Sequence, residues 1–363
     1  MTDPPPPGQA PDNSTRWRFS VRPTPRQARA LQSVYLPAFW ILCLLLVLSA
    51  WRLGVMLHSP LARFPGATLT AILLFAVWAV PFWLFIASMD FLEREPPLLL
   101  ATAFAWGGLV ATSLAGSGSA ALHNLVAKWS SPAFAAAWGP ALVGPTVEET
   151  VKALGIVAIV LVAGAQLNSV LDGVVYGALV GLGFQVVEDV VFAVDAVAFA
   201  GGGDRVDPVV TTFLLRGFLA GLWSHTLFGA LAGAGVGYLV VRVDRSALSR
   251  VGAAALALGG AWACHFVWNS PLLADGLGYG GLGVLAALLI KGVPPLLMIL
   301  LLVRAAGERE ADYYTAQLIA LDDRMVITPE ELRVLPRGGR RVEARRYAHG
   351  RAGIRGRRAV RRL

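Results

Sequence analysis

Charge is scarce in this sequence: Asp, Glu, Lys and Arg together make up 15% of its 363 residues, where soluble domains carry about a quarter. A chain so poor in charge, 56% hydrophobic and with a mean hydropathy of +0.62, cannot cover itself with a water-solvated surface. Soluble globular classes and intrinsic disorder of the main body are thereby excluded, and the chain reads as an integral membrane protein. Cysteine is almost absent. The two present, Cys43 and Cys264, lie in apolar runs and read as small buried hydrophobes, which excludes a disulfide scaffold. An early apolar segment is also lacking, so residues 1–33, with Pro4 to Pro7, read as a disordered basic tail and not as a signal peptide. No internal repeat relates the two halves, which counts against an inverted-repeat transporter.

The basic excess is confined to the ends. Residues 1–33 hold five arginines against two aspartates, and 304–363 hold fifteen arginines against eight acids, so the stretch between is nearly neutral. Charge placed this way suits an anionic membrane surface, and no nucleic-acid partner is expected. About 20 apolar residues cross the hydrocarbon core as a helix. Eight such runs occur, near 36–57, 68–89, 97–115, 139–163, 170–195, 209–240, 248–270 and 281–303. The sixth is long enough to be two shorter helices. The expected fold is all-α: a polytopic bundle of about eight spans over 34–304, with a motif core at 139–270 and an arginine-rich tail, disordered or partly helical, over 305–363. Arg242, Arg245 and Arg250 fall in one short connection, whereas 271–280 has no Lys or Arg. The positive-inside rule then puts both termini of this multi-pass cell-membrane protein in the cytoplasm, and residues 116–131 outside as an amphipathic loop.

Ionisable residues cluster where lipid should forbid them. The later spans contain Glu148, Glu149, Lys152, Asp172, Glu188, Asp189, Arg216, His225 and His265. Each charge at the bilayer centre costs about 2.5–3.5 kcal/mol on insertion scales, so these side chains should share a polar interior. Lys152 lies four residues from Glu148 and three from Glu149, so either carboxylate can pair with it across a helical turn. Acids placed in the first turn of a proline-led helix would also account for the Glu pair. Asp172, Tyr176, Val180, Phe184 and Glu188 recur every four residues along one face, and glycines 173, 177, 181 and 183 between them suit a central, closely packed helix. Asp172 can be a helix cap, and Asp189 can belong to a solvated helix end. His265 and Asn269, four apart, point the same way.

Four ordered blocks, Pro145 to Leu154 (PTVEETVKAL), Asp172 to Phe192, Leu215 to Tyr238 (with SHTLFGALAGAGVGY) and His265 to Ser270 (HFVWNS), carry a recognisable pattern. Together they resemble the PrsW family of intramembrane peptidases, distantly related to the type II CAAX prenyl endopeptidases. Asp189 stands where Asn is expected in many relatives. The resemblance implies hydrolysis of peptide bonds in membrane-anchored proteins, regulatory ones such as anti-sigma factors among them. It implies a site built from Glu148, Glu149, Lys152, Glu188, His225, His265 and Asn269. One route needs no metal: Glu149 is general base on a water, Glu148 is held by Lys152, and His265 with Asn269 stabilises the oxyanion. The other sets His225, His265 and Glu188 around a divalent metal such as Zn2+, with Glu149 again the base. An ion-coupled transporter and a non-catalytic membrane scaffold are the competing readings of the same intramembrane charges.

Overall fold

The computed structural model describes residues 33–89, 92–220, 224–321 and 328–362, and all regular structure among them is helical. The tail expected over 1–33 lies outside the described residues up to position 32. Helix α1 (Pro37–Arg63) and α2 (Pro65–Met89) are followed by α3, which runs from Pro97 to Trp129 through a π-helical stretch at Trp106–Ala111. Next come α4 (Pro132–Ala163), α5 (Val170–Phe199) and the short α6, Asp207–Leu214 continued by a second π-helical stretch, Leu215–Ala220. Helix α7 (His225–Val241), α8 (Ala247–Asn269), the long α9 (Gly280–Leu321), α10 (Pro329–Val334) and α11 (Gly338–Arg362) complete the chain.

Six of these helices are long and apolar enough to cross a membrane: α1, α2, α3, α5, α8 and α9 as far as Ile319. The other two expected spans depart for local reasons. Helix α4 carries the Glu148, Glu149 and Lys152 charges and two internal prolines, and α7 has only 17 residues because the sixth apolar run is divided between α6 and α7. Residues 116–131 are not a loop, since α3 continues to Trp129 with Ser130 and Ser131 alone before α4. The polar tail is more regular than expected. Helix α9 passes its membrane segment without a break, supported by an Arg304–Glu308 pair one turn apart at 2.9 Å, and α10 starts with a Thr328/Glu331 capping box.

Helix α5 is the axis of the bundle, with 89% of its most apolar window buried. Its start is fixed by a capping box: the Ser169 hydroxyl accepts from the Asp172 N–H, and the Asp172 carboxylate accepts from the N–H groups of Asn168 and Ser169 at 2.7 and 2.8 Å. Asp172 is thus a cap. Along α5, a Cβ on Gly173, Gly177 or Gly181 would collide with the backbone carbonyl of Gly233, Gly229 or His225 on α7, so the two helices touch main chain to main chain. On the opposite side Gly107 of α3 meets the Val180 carbonyl in the same way, which the wider π turn permits. Outward, Trp51 and Leu48 of α1, Leu73 and Val77 of α2 and Leu282 and Leu301 of α9 are more than half exposed, a surface suited to lipid tails.

Candidate active site in the bundle core

Helix α4 begins at Pro132, where the Ser131 hydroxyl caps the Phe134 N–H at 3.1 Å. Glu148 and Glu149 therefore lie about four turns inside the helix, not in its first turn. A helix-dipole origin of the pair does not apply. Lys152, one turn further, is fully buried and forms its salt bridge with Glu149 Oε1 at 2.6 Å, so of the two possible partners the ammonium takes Glu149 and leaves Glu148 to other contacts. Its Nζ also lies 3.0 Å from His225 Nδ1 and 4.5 Å from the centre of the Phe184 ring, a cation–π contact that compensates lost hydration.

His225 opens α7, where Gly181 of α5 lets the backbones approach closely enough to bring the imidazole beside Glu188. His225 Nε2 is 2.9 Å from Glu188 Oε2, and the Arg216 guanidinium, from the π turn of α6, holds that same oxygen at 2.6 Å. Arg216 Nε donates in addition to Asp189, and its plane lies over the Phe192 ring at 4.0 Å. Asp189 is 1% exposed, so it is part of this buried network and not a solvated helix end; Asp195, one and a half turns on, is exposed.

His265 and Asn269 come from the last turns of α8. His265 Nδ1 is 2.7 Å from Glu149 Oε1, its Nε2 is 3.0 Å from Asn269 Nδ2, and its ring stacks on Phe228 at 5.0 Å. Asn269 Nδ2 also donates to the Pro140 carbonyl at 3.2 Å, tying α8 to α4. The hydrogen-bond pattern assigns both tautomers. Each imidazole gives a proton to a carboxylate, His225 Nε2–H to Glu188 and His265 Nδ1–H to Glu149. The acceptor nitrogens are then His225 Nδ1, which receives Lys152, and His265 Nε2, which receives Asn269.

Those two acceptor nitrogens converge on one atom. Glu148 Oε2 lies 3.8 Å from His225 Nδ1 and 3.8 Å from His265 Nε2, too far for direct hydrogen bonds, and it is buried without a partner among the described residues, as is Glu149 Oε2. One ligand atom each from Glu148, Glu149, His225 and His265 falls within 4.8 Å of the others, a grouping that could hold a metal ion. All seven residues singled out from the sequence lie in one connected cluster. Glu188, however, stands one bond further out, on the far nitrogen of His225, and it is Glu148 that shares the inner position with the two histidines. Four carboxylates (Glu148, Glu149, Glu188, Asp189) face Lys152 and Arg216, so the cluster carries two more acids than cations when both histidines are neutral. A cavity of about 190 Å³ leads to it, bordered by Pro140, Phe192, Arg216, Trp268 and Asn269.

Sequence reasoning overlooked Lys291. Its ammonium, from α9, donates to the Ser270 carbonyl at 2.8 Å and so fixes the end of α8 that carries Asn269. The signal was available, a lone lysine inside the eighth apolar run.

In comparisons with known proteins, a family model described as PrsW family intramembrane metalloprotease matches residues 95–300, which include every side chain of this cluster. No curated protein and no solved structure matches the chain.

Proposed function

Because the chain belongs to the PrsW family of intramembrane metalloproteases, and is therefore a peptidase acting in the membrane, we propose that it cleaves membrane-anchored proteins with Glu148 as the carboxylate nearest the reacting water. The observation that carries this reading is Glu148 Oε2, buried with no hydrogen-bond partner among the described residues and 3.8 Å from each acceptor nitrogen of His225 and His265. A water hydrogen-bonded to Glu148 Oε2 gives it a proton as the water oxygen bonds to the scissile carbonyl carbon. The Asn269 amide, released from His265, donates to the oxyanion that forms. Glu148 then returns the proton to the leaving nitrogen as the C–N bond breaks. Glu149 and Glu188 are positioning residues, each fixing one imidazole, and the Glu148 and Glu149 roles are exchanged relative to those the resemblance implied.

The donor set also fits a metal. Glu148, His225 and His265 would hold a divalent ion of the zinc class, with Glu149 close enough to be a fourth ligand, and the orphaned carboxylate oxygens and the excess of acids over cations are what such an ion would satisfy. When bound it would supply Lewis acidity at the substrate carbonyl. Holding it requires Lys152 to yield the His225 Nδ1 lone pair and Asn269 to yield that of His265 Nε2, since one lone pair cannot serve both. The substrate class, including regulatory proteins anchored by one span, and eight crossings with cytoplasmic termini are further parts of this proposal.

The test is a map of new protein N-termini in membranes from cells expressing the wild type or Glu148→Gln at equal levels, with metal content of both purified proteins measured in parallel. Cleavages beside membrane spans that vanish in the variant support the reading. Identical maps from two folded, abundant proteins would sink the assignment of Glu148.

A further inference from the structure

A cavity much larger than the one at the cluster lies at the other end of the bundle. It encloses about 1160 Å³ where α7 ends, α8 begins and the second half of α9 passes by. Its inner wall is apolar, with Val241 from α7, Ala253 and Ala257 from α8 and Leu302 and Ala305 from α9. Its outer rim is polar, with Arg242 and Arg309 set among Tyr238, Glu93, Asp244 and Glu310. Along α9 the change of character comes at the right depth. Leu302 is 22 residues from the helix start at Gly280, or about 33 Å, which is the thickness of a hydrocarbon core, and Arg309 lies another two turns beyond.

The unspent hydrogen-bonding capacity of the rim is cationic. Arg242, only 8% exposed, lies over the Tyr238 ring at 5.2 Å and gives two N–H groups to Asp244 at 2.6 Å each, yet its Nη1 is buried with no acceptor among the described residues. That pairing also holds the Asp244 carboxyl down, at about 2, so Asp244 stays ionised and committed to Arg242. Of the other acids in the lining, Glu93 receives the Tyr314 hydroxyl, and Glu310 of α9, which is buried, is engaged as well. Arg309 has no ion-pair partner among the described residues. An unpaired buried guanidinium N–H costs free energy until an acceptor arrives, and a phosphate oxygen above an apolar groove meets that requirement.

We propose that this groove binds one phosphate-bearing anionic lipid, its headgroup on Arg242 and Arg309 and an acyl chain against Val241, Ala253 and Leu302. Native mass spectrometry of the delipidated full-length protein in detergent, titrated with phosphatidylglycerol, phosphatidylcholine or inorganic phosphate, tests it. The expected result is one phosphatidylglycerol retained at least ten-fold more tightly than phosphatidylcholine. Arg242→Gln should weaken that binding at least ten-fold. Ala305→Trp, which fills the groove and leaves Arg242 and the catalytic cluster intact, should weaken it equally while peptide cleavage continues. Equal affinity for the two lipids, or undiminished binding by Ala305→Trp, overturns the proposal. Binding of inorganic phosphate as tight as that of the lipid would assign the rim to a free anion and overturn it as well.

Discussion

Lys152 is a fully buried ammonium shared by Glu149 and His225. Removing one partner of a buried ion pair typically costs roughly 3–5 kcal/mol, because the other charge is left uncompensated. Lys152→Ala should therefore lower the thermal unfolding temperature in detergent sharply, and the double variant Lys152→Met with Glu149→Gln should recover most of the loss; a single variant as stable as wild type would show that the pair does not hold the bundle together. Glu148 behaves differently. Its Oε2 has no partner to lose among the described residues, so Glu148→Gln should leave unfolding nearly unchanged while lowering cleavage of a membrane-anchored substrate by about 10²- to 10⁴-fold, read from initial rates at saturating substrate. The residue types of the cluster were legible in the sequence because charge in an apolar run is too costly in lipid to stand there unless it meets water or counter-charge. Which carboxylate Lys152 takes was not, since both lie within a helical turn of it and only the His265 Nδ1 proton, arriving from α8, favours Glu149. Asp189 was misread for a related reason: its partner Arg216 is 27 residues away, across a connection that no local pattern predicts.

At the scale of elements, the glycines of α5 and α7 govern the approach that brings His225 to Glu188. A methyl group at Gly177 meets the Gly229 carbonyl with nothing able to yield, whereas one at Gly252 on α8 meets open space. Gly177→Ala should destabilise by roughly 1–3 kcal/mol and reduce cleavage, and Gly252→Ala should be neutral or stabilising by up to about 1 kcal/mol; the comparison is made by thermal unfolding, and equal effects would contradict main-chain contact as the cause. Helices α1, α2, α3, α5, α8 and α9 were readable from apolar run length alone, but α3 and α9 run on 14 and 18 residues past the expected ends because polar residues continue each helix. The two π turns were not, because they answer to packing: Trp106–Ala111 is set by Gly107 against Val180, and Leu215–Ala220 carries Arg216 to two carboxylates on α5.

For the whole molecule, the catalytic cluster and the lipid groove lie at opposite ends of the bundle, and the arginine-bearing turn 242–245 marks the groove end. If that end is cytoplasmic, a cysteine introduced by Arg245→Cys in a background with Cys43 and Cys264 replaced by serine should react with a membrane-impermeant maleimide only after cells are permeabilised. Asp275→Cys, beyond α8, should react in intact cells. The reverse pattern would invert the orientation and leave the architecture standing. The orientation rests on a few short-loop charges, which is why the sequence suggested it and helix packing does not decide it.

Helix α7, with 17 residues, measures about 25 Å, shorter than the roughly 30 Å hydrocarbon core. His225, at its first residue, thus stands below the level where a full-length helix would end. Neighbouring helices cover α7, and the bilayer meets instead the still shorter α6 (Asp207–Ala220), whose Leu214, Leu215 and Phe218 are more than half exposed, and relieves hydrophobic mismatch by thinning beside it, at fractions of a kcal/mol per ångström. The dimple shortens the path of bulk water to the imidazole. Hydrolysis should accordingly slow as acyl chains are lengthened in reconstituted vesicles, making the thickness of the surrounding membrane a control on the rate.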